Sequence, residues 1–147
     1  MNDRPLFIER EFNGAATKIW DALTKNEQLK KWYFQIPEFK PVVGFEFQFA
    51  AKVREDVEYV HLCRIIEVIP GKKIAYTWRY DHYPGNSIVT FELFPEGEKT
   101  KVILSHTGLE SFAAAGPDFS RESFTGGWTY ILGKSLKAFL ESAPAEV

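Results

Sequence analysis

The chain carries one cysteine, Cys63, in 147 residues, so no intramolecular disulfide and no multi-cysteine metal site can form within it, which fits a reducing compartment. Its three histidines, His61, His82 and His106, are scattered, and no HExxH pair or close ligand cluster occurs, so no metal is expected. GxSxG, GxxxxGK[ST] and GxGxxG are also missing. Their absence removes the usual signatures of serine hydrolases, P-loop enzymes and dinucleotide binders, and no cofactor is implied. Charge of one sign is not in excess: 18 basic against 20 acidic residues give a net charge of −2. A polyanion-binding surface, and with it a nucleic-acid partner, is not expected. No apolar run approaches the ~18 to 20 residues that span a bilayer. The start, MNDRPLFIEREF, lacks the basic and apolar blocks of a signal peptide, so the expected location is the cytoplasm.

What the chain does have is aromatic residues: 13 Phe, 6 Tyr and 4 Trp, 16% of the whole. Rings in such number fill a core or line a hollow, and composition does not choose between the two. The length and a hydrophobic content of 45% suit one domain over residues 1–147 with one core.

The first third mixes periods. PLFIEREF alternates as a strand, with Leu6, Ile8, Arg10 and Phe12 against Phe7, Glu9 and Glu11. Ile19, Trp20 and Leu23 recur at helical spacing and predict a helix over roughly 15 to 24. Asn26 is the expected N-cap of a second, brief helix that carries Leu29 and Trp32 on one face and stops near Tyr33. PEFKPVVG then reads as a loop of about eight residues.

From about residue 44 the period becomes two. Phe45, Phe47, Phe49, Ala51 and Val53 share one face of a strand, with Glu46, Gln48 and Lys52 on the other. EYVHLCRIIEVI follows, and its alternation slips near Ile65 and Ile66, as a β-bulge would make it do. Ile74, Tyr76, Trp78 and Tyr80 form the next face, then Val89, Phe91 and Leu93, then Val102, Leu104 and His106 in TKVILSHTGL. Turns at Pro70-Gly71, His82–Asn86 and Pro95–Glu98 separate them. After a loop at Gly116-Pro117-Asp118, Ser120 caps one long helix whose stripe is Phe124, Trp128, Ile131, Leu132, Leu136, Phe139 and Leu140. Gly126, Gly127 and Gly133 each cost about 1 kcal/mol in a helix interior, which predicts close approach of a sheet or ligand there.

A sheet with one apolar face needs a cover, and the last helix is the available one. The predicted fold is α+β: a six- to seven-stranded antiparallel sheet wrapped around a long C-terminal helix, with two short helices after the first strand.

Several stretches carry a resemblance: Trp20-Asp21-Ala22-Leu23-Thr24, Trp32-Tyr33-Phe34, GFEFQF, IEVIPGKKIAYTW, TKVILSHTGL and GWTYILGKSLKAFLE. In this order, covering nearly the whole chain, they resemble the family of activators of the heat-shock chaperone ATPase, within the START-like and birch-pollen-allergen helix-grip superfamily. The resemblance implies a cavity between sheet and helix that in many relatives takes apolar small molecules. Three functions follow as expectations. The first is binding of a small, largely apolar ligand, the second is contact with a heat-shock chaperone, and the third is a reaction of the polyketide cyclase or dehydratase kind. A homodimer is open to a domain of this size.

The candidate ligand-binding residues are Phe45, Phe47, Phe49, Tyr76, Trp78, His106, Phe124 and Trp128. No catalytic set is named, because His106 has no second acid or base to work with. His106 shares a face with Val102 and Leu104, so it points where they point. It is either a buried histidine bonded to a Tyr hydroxyl or backbone carbonyl, or a polar anchor or general base facing a ligand. Lys25, Lys30 and Lys31, and the run Arg54, Glu55, Asp56 and Glu58, read as solvated, as do Arg79 and Asp81. Arg64 and Glu67 are placed to form an inward pair if the slipped strand turns them in.

Overall fold

Alternation with a period of two builds six antiparallel strands among the described residues: β1 (Leu6–Asn13), β2 (Glu46–Arg54), β3 (Val57–Ile69), β4 (Lys73–Tyr80), β5 (Ser87–Glu96) and β6 (Lys99–Thr107). They lie side by side in the order β1-β6-β5-β4-β3-β2. The computed structural model describes residues 5–54 and 56–142. The Val53 and Arg54 side chains and Glu55, expected on an inward face and in a solvated turn, lie outside what it describes.

Burial follows the alternation. Val89, Phe91 and Leu93 of β5 and Val102, Leu104 and His106 of β6 are buried, so one face of the sheet is the core face. The β3–β4 register shifts between Ile65 and Glu67, where the sequence pattern slips. Arg64 is exposed there and Glu67 pairs outward with Lys73 at 3.3 Å, so the inward Arg64–Glu67 pair does not form.

The two short helices, α1 (Ala16–Thr24) and α2 (Asn26–Trp32), are divided by Lys25, whose extended backbone (φ −88°, ψ 125°) takes the cap position. Asn26 is therefore the first residue of α2 and not its cap. Its amide instead donates to the Pro37 carbonyl at 3.2 Å, tying down the following loop. Two short 3-10 turns, Leu109–Ala115 and Pro117–Phe119, replace the loop expected before the last helix and bring Phe112 and Phe119 into the core. Phe112 packs where a Cβ of Gly85 would sit, and Gly85 has φ +111°, so this turn requires glycine.

The last helix starts at Ser120, whose Oγ accepts the Ser123 N–H at 3.2 Å as expected. It is not α throughout: α3 (Arg121–Tyr130) passes into a π segment (Ile131–Leu136) and then α4 (Lys137–Ser142). Phe124, Trp128, Leu132, Leu136 and Leu140, all buried, are spaced by four. In an α-helix of 3.6 residues per turn each such step rotates the stripe by about 40°. The wider π turn takes up that drift and keeps the stripe on the sheet. Ser135 of this segment donates to the Trp32 carbonyl at 2.6 Å, satisfying the C-terminal end of α2.

Gly133 meets a neighbour, the Arg10 guanidinium, at 3.3 Å from an added Cβ. Gly126 and Gly127 are exposed with nothing within 4 Å of such a Cβ, so the close approach expected at all three is limited to one. A Gly126→Ala/Gly127→Ala variant should accordingly gain about 1 to 2 kcal/mol from helix propensity alone. Urea unfolding measures this, and an unchanged midpoint would contradict it.

Candidate functional site: a ring-lined interior beneath the C-terminal helix

Strand register lays three rings across the core face in one row. Phe49 of β2 pairs with His61 of β3, and His61 pairs with Tyr80 of β4. The next rows add Phe47, Tyr76 and Trp78. Phe47 and Tyr76 lie edge to face at 5.1 Å and Phe49 and Trp78 at 5.8 Å. The helix lowers Trp128 onto them, 5.2 Å from Trp78 and 6.2 Å from Phe91. Phe124, one turn earlier, faces His106 at 5.0 Å. Of the eight residues expected to line a site, seven are buried together here. Phe45 is half-buried at the margin, 6.5 Å from Phe39.

His106 is fully enclosed, with 0% of its surface exposed. Trp128 Nε1–H donates to its Nδ1 at 3.0 Å, and an indole nitrogen can only donate. Nδ1 is therefore bare, and the ring proton sits on Nε2, which donates to Ser87 Oγ at 2.7 Å. Ser87 Oγ–H in turn donates to the Trp78 carbonyl at 2.7 Å. Burial lowers the His106 pKa to about 3, so the ring is neutral and this relay has one direction. The partners are a serine hydroxyl and an indole, not the Tyr hydroxyl or carbonyl expected. Both ring nitrogens are committed within the protein.

Other polar tips are less occupied. The Tyr33 and Tyr76 hydroxyls bond each other at 2.8 Å, and a pair of hydroxyls holds two protons while that bond uses one. Burial raises both pKa values, so both are protonated. Trp78 Nε1–H donates to Tyr80 Oη at 2.8 Å. Burial likewise pushes up the Cys63 thiol, which keeps it protonated and unreactive.

Sequence reasoning missed His61. Its ring stacks on Phe49 at 4.5 Å and meets Tyr80 at 4.7 Å, Trp78 at 4.9 Å and Phe34 at 5.8 Å. It is 7% exposed, and its Nδ1 has no hydrogen-bond partner. Burial lowers its pKa to about 4, against a smaller opposing pull from backbone groups of Tyr59 and Phe49. The signal was available: before the slip, Tyr59, His61, Cys63 and Ile65 alternate with a face that holds Arg64. Tyr33 and Phe34 were missed as well, and the aperiodic segment after α2 gives no signal for them.

An open groove of about 680 Å³ crosses β2, β3 and β4 among Glu46, Gln48, Arg64, Thr77 and Arg79. Of the eight expected residues only Phe45 and Phe47 border it. No helix among the described residues is long and apolar enough to cross a membrane.

Residues 13–141 match the family model described as Activator of Hsp90 ATPase homolog 1-like protein. No curated protein matches the chain. Among solved structures, protein MLL2253 from Mesorhizobium loti is 27% identical, with a TM-score of 0.74 over 94% of this chain and 97% of that one. Protein CV1439 from Chromobacterium violaceum, 23% identical, has a TM-score of 0.81 over 97% of this chain and 100% of its own. CalU16 from Micromonospora echinospora, 20% identical, has a TM-score of 0.71 over 97% and 78%. The latter two are similar to this chain in fold.

Proposed function

The chain belongs to the Activator of Hsp90 ATPase homolog 1-like family, and on that premise we propose that it binds a small, largely apolar molecule between its sheet and C-terminal helix. One observation carries this reading: the interior is walled by ring faces yet holds polar tips that the protein leaves unspent, a Tyr33–Tyr76 hydroxyl proton and His61 Nδ1. A purely structural core pairs its buried polar atoms, whereas a small-molecule site keeps a few convergent ones for its ligand. Phe47, Phe49, Tyr76, Trp78 and Trp128 form the walls. His106 serves the site by holding Trp128 in place. Catalysis with His106 as acid or base draws no support from the geometry, since neither ring nitrogen is free to exchange a proton with a substrate.

Native against denaturing mass spectrometry of the purified protein tests the reading. The expected result is a defined adduct that is lost on unfolding. The family description favours a second reading, contact with an Hsp90-type chaperone. A bare mass, together with a chaperone ATPase rate that rises on adding the chain, would replace the first reading with the second.

A further inference from the structure

Phe34, like Tyr33 before it, belongs to neither the sheet nor a helix. It follows α2, and its ring stacks on Phe49 at 4.4 Å with an interplanar angle of 22°. The same ring meets Tyr33 edge-on at 4.6 Å, and lies 5.8 Å from His61 and 6.2 Å from Trp78. A planar ring held by aromatic faces, supplied by an irregular segment and only half-buried, sits as a bound aromatic molecule would sit. Moving it breaks no strand ladder and no helix bond.

We infer that Phe34 occupies the place of a planar aromatic ligand, and that His61 is the polar anchor that selects a hydroxylated ring for that place. The inference rests on the ligand-binding reading above and names its ligand class. The rings facing His61 are those of Phe34, Phe49 of β2, and Trp78 and Tyr80 of β4, and the Tyr59 and Phe49 backbone lies beside it. The polar tips among these, Trp78 Nε1 and Tyr80 Oη, bond each other. His61 Nδ1 forms no hydrogen bond here, although the Tyr80 hydroxyl keeps a proton and the Tyr59 and Phe49 backbone lies beside the ring, and a buried polar atom left unpaired is costly. A neutral imidazole offers one N–H and one bare nitrogen, and a hydroxyl can accept from the first or donate to the second. A hydroxyl therefore fits either tautomer. The rings around His61 carry no charged side chain to compensate a carboxylate or ammonium, so the ligand is neutral at this point.

The test uses benzene and phenol with a Phe34→Ala variant, whose missing side chain leaves room for one ring. In a dry apolar hollow the hydroxyl of phenol is a burden, so benzene binds better. With His61 as anchor the order reverses, and phenol binds about tenfold tighter than benzene, the worth of one good hydrogen bond. The parent chain, with Phe34 in place, binds both at least about tenfold more weakly than the variant, because its own ring must leave first. Adding His61→Phe is expected to restore the benzene preference, while His61→Asn, which keeps an acceptor near the Nδ1 position, retains part of the phenol preference. Titration calorimetry reads the affinities, and near-ultraviolet circular dichroism confirms a folded variant. If Phe34→Ala fails to fold, Phe34→Leu is carried through the same comparison. A variant that binds benzene better than phenol overturns the role of His61 and leaves the ligand-binding interior standing. A folded variant that binds neither probe overturns Phe34 as an occupant, and with a bare native mass it overturns the ligand-binding reading too.

Discussion

Lowering the pH from 7 to 4.5 is expected to remove about 5 kcal/mol of folding stability, through His61 and His106 together. The folded pKa values are about 4 and about 3 against an ordinary value of 6.5, and both shifts are downward because burial penalises the charged ring. A histidine held below its unfolded pKa binds fewer protons folded than unfolded. Its contribution is whole above pH 6.5 and is lost as the pH falls from there towards the folded value. At pH 4.5 each ring has crossed about two units at 1.36 kcal/mol per unit, hence about 2.7 kcal/mol per ring. Domains of this kind hold about 5 to 15 kcal/mol, so the loss brings the protein near its unfolding point. Beyond the small backbone pull on His61 from Tyr59 and Phe49, the side chains around the two rings offer no relief. Ser87, Trp78, Phe124 and Trp128 enclose His106, and Phe34, Phe49, Trp78 and Tyr80 enclose His61, with no carboxylate among them to stabilise an imidazolium. Urea midpoints at pH 7, 6, 5 and 4.5 give the slope, and His61→Phe should roughly halve it. Stability that is level from pH 7 to 5 would mean that both rings take up protons as readily folded as unfolded.

The periodic parts of the chain announced most of the fold. Tyr76 and Trp78, Val89 and Phe91, Val102 and Leu104 point inward as their alternation predicts, and the slip at Ile65 and Ile66 is a real shift of register. That His106 points inward follows from its neighbours two and four residues away. Its partners do not, because Ser87 and Trp128 lie 19 and 22 residues distant and reach it only through strand register and helix crossing. His61 was within reach, but the slip blurred its strand, and a two-residue period is informative only up to the point where it breaks. Tyr33 and Phe34 lie on a segment with no period, so nothing local said that they turn inward. The π segment is a subtler case: the sequence stripe, which includes Ile131 and Phe139, is compatible with a plain α-helix, and only the buried subset, spaced by four from Phe124 to Leu140, requires the wider turn.

Replacing Trp128 separates the structural duty of His106 from any duty towards a ligand. Trp128→Ala is expected to cost about 3 to 5 kcal/mol, because it empties a ring-sized volume at the contact of helix and sheet. Trp128→Phe keeps most of that volume and deletes the N–H, leaving His106 Nδ1 buried without its donor. An orphaned buried acceptor costs about 1 to 3 kcal/mol, so the phenylalanine variant should lie between the parent and the alanine variant. The same logic applies from the other side. His106→Leu orphans the Trp128 indole N–H and one side of Ser87 Oγ at once, and should cost at least as much as Trp128→Phe. If the indole and the imidazole serve chiefly each other, the Trp128→Phe/His106→Leu protein, with an apolar pair in their place, loses about 1 to 2 kcal/mol less than the two single losses added together. Denaturant unfolding of the four proteins supplies that coupling. Additive losses would show the Trp128–His106 bond to be worth little and would reopen His106 as an atom free to meet a ligand. A strong coupling fixes it as the strut that holds Trp128 against Trp78 and Phe91, and leaves His61 as the interior imidazole with a nitrogen to offer.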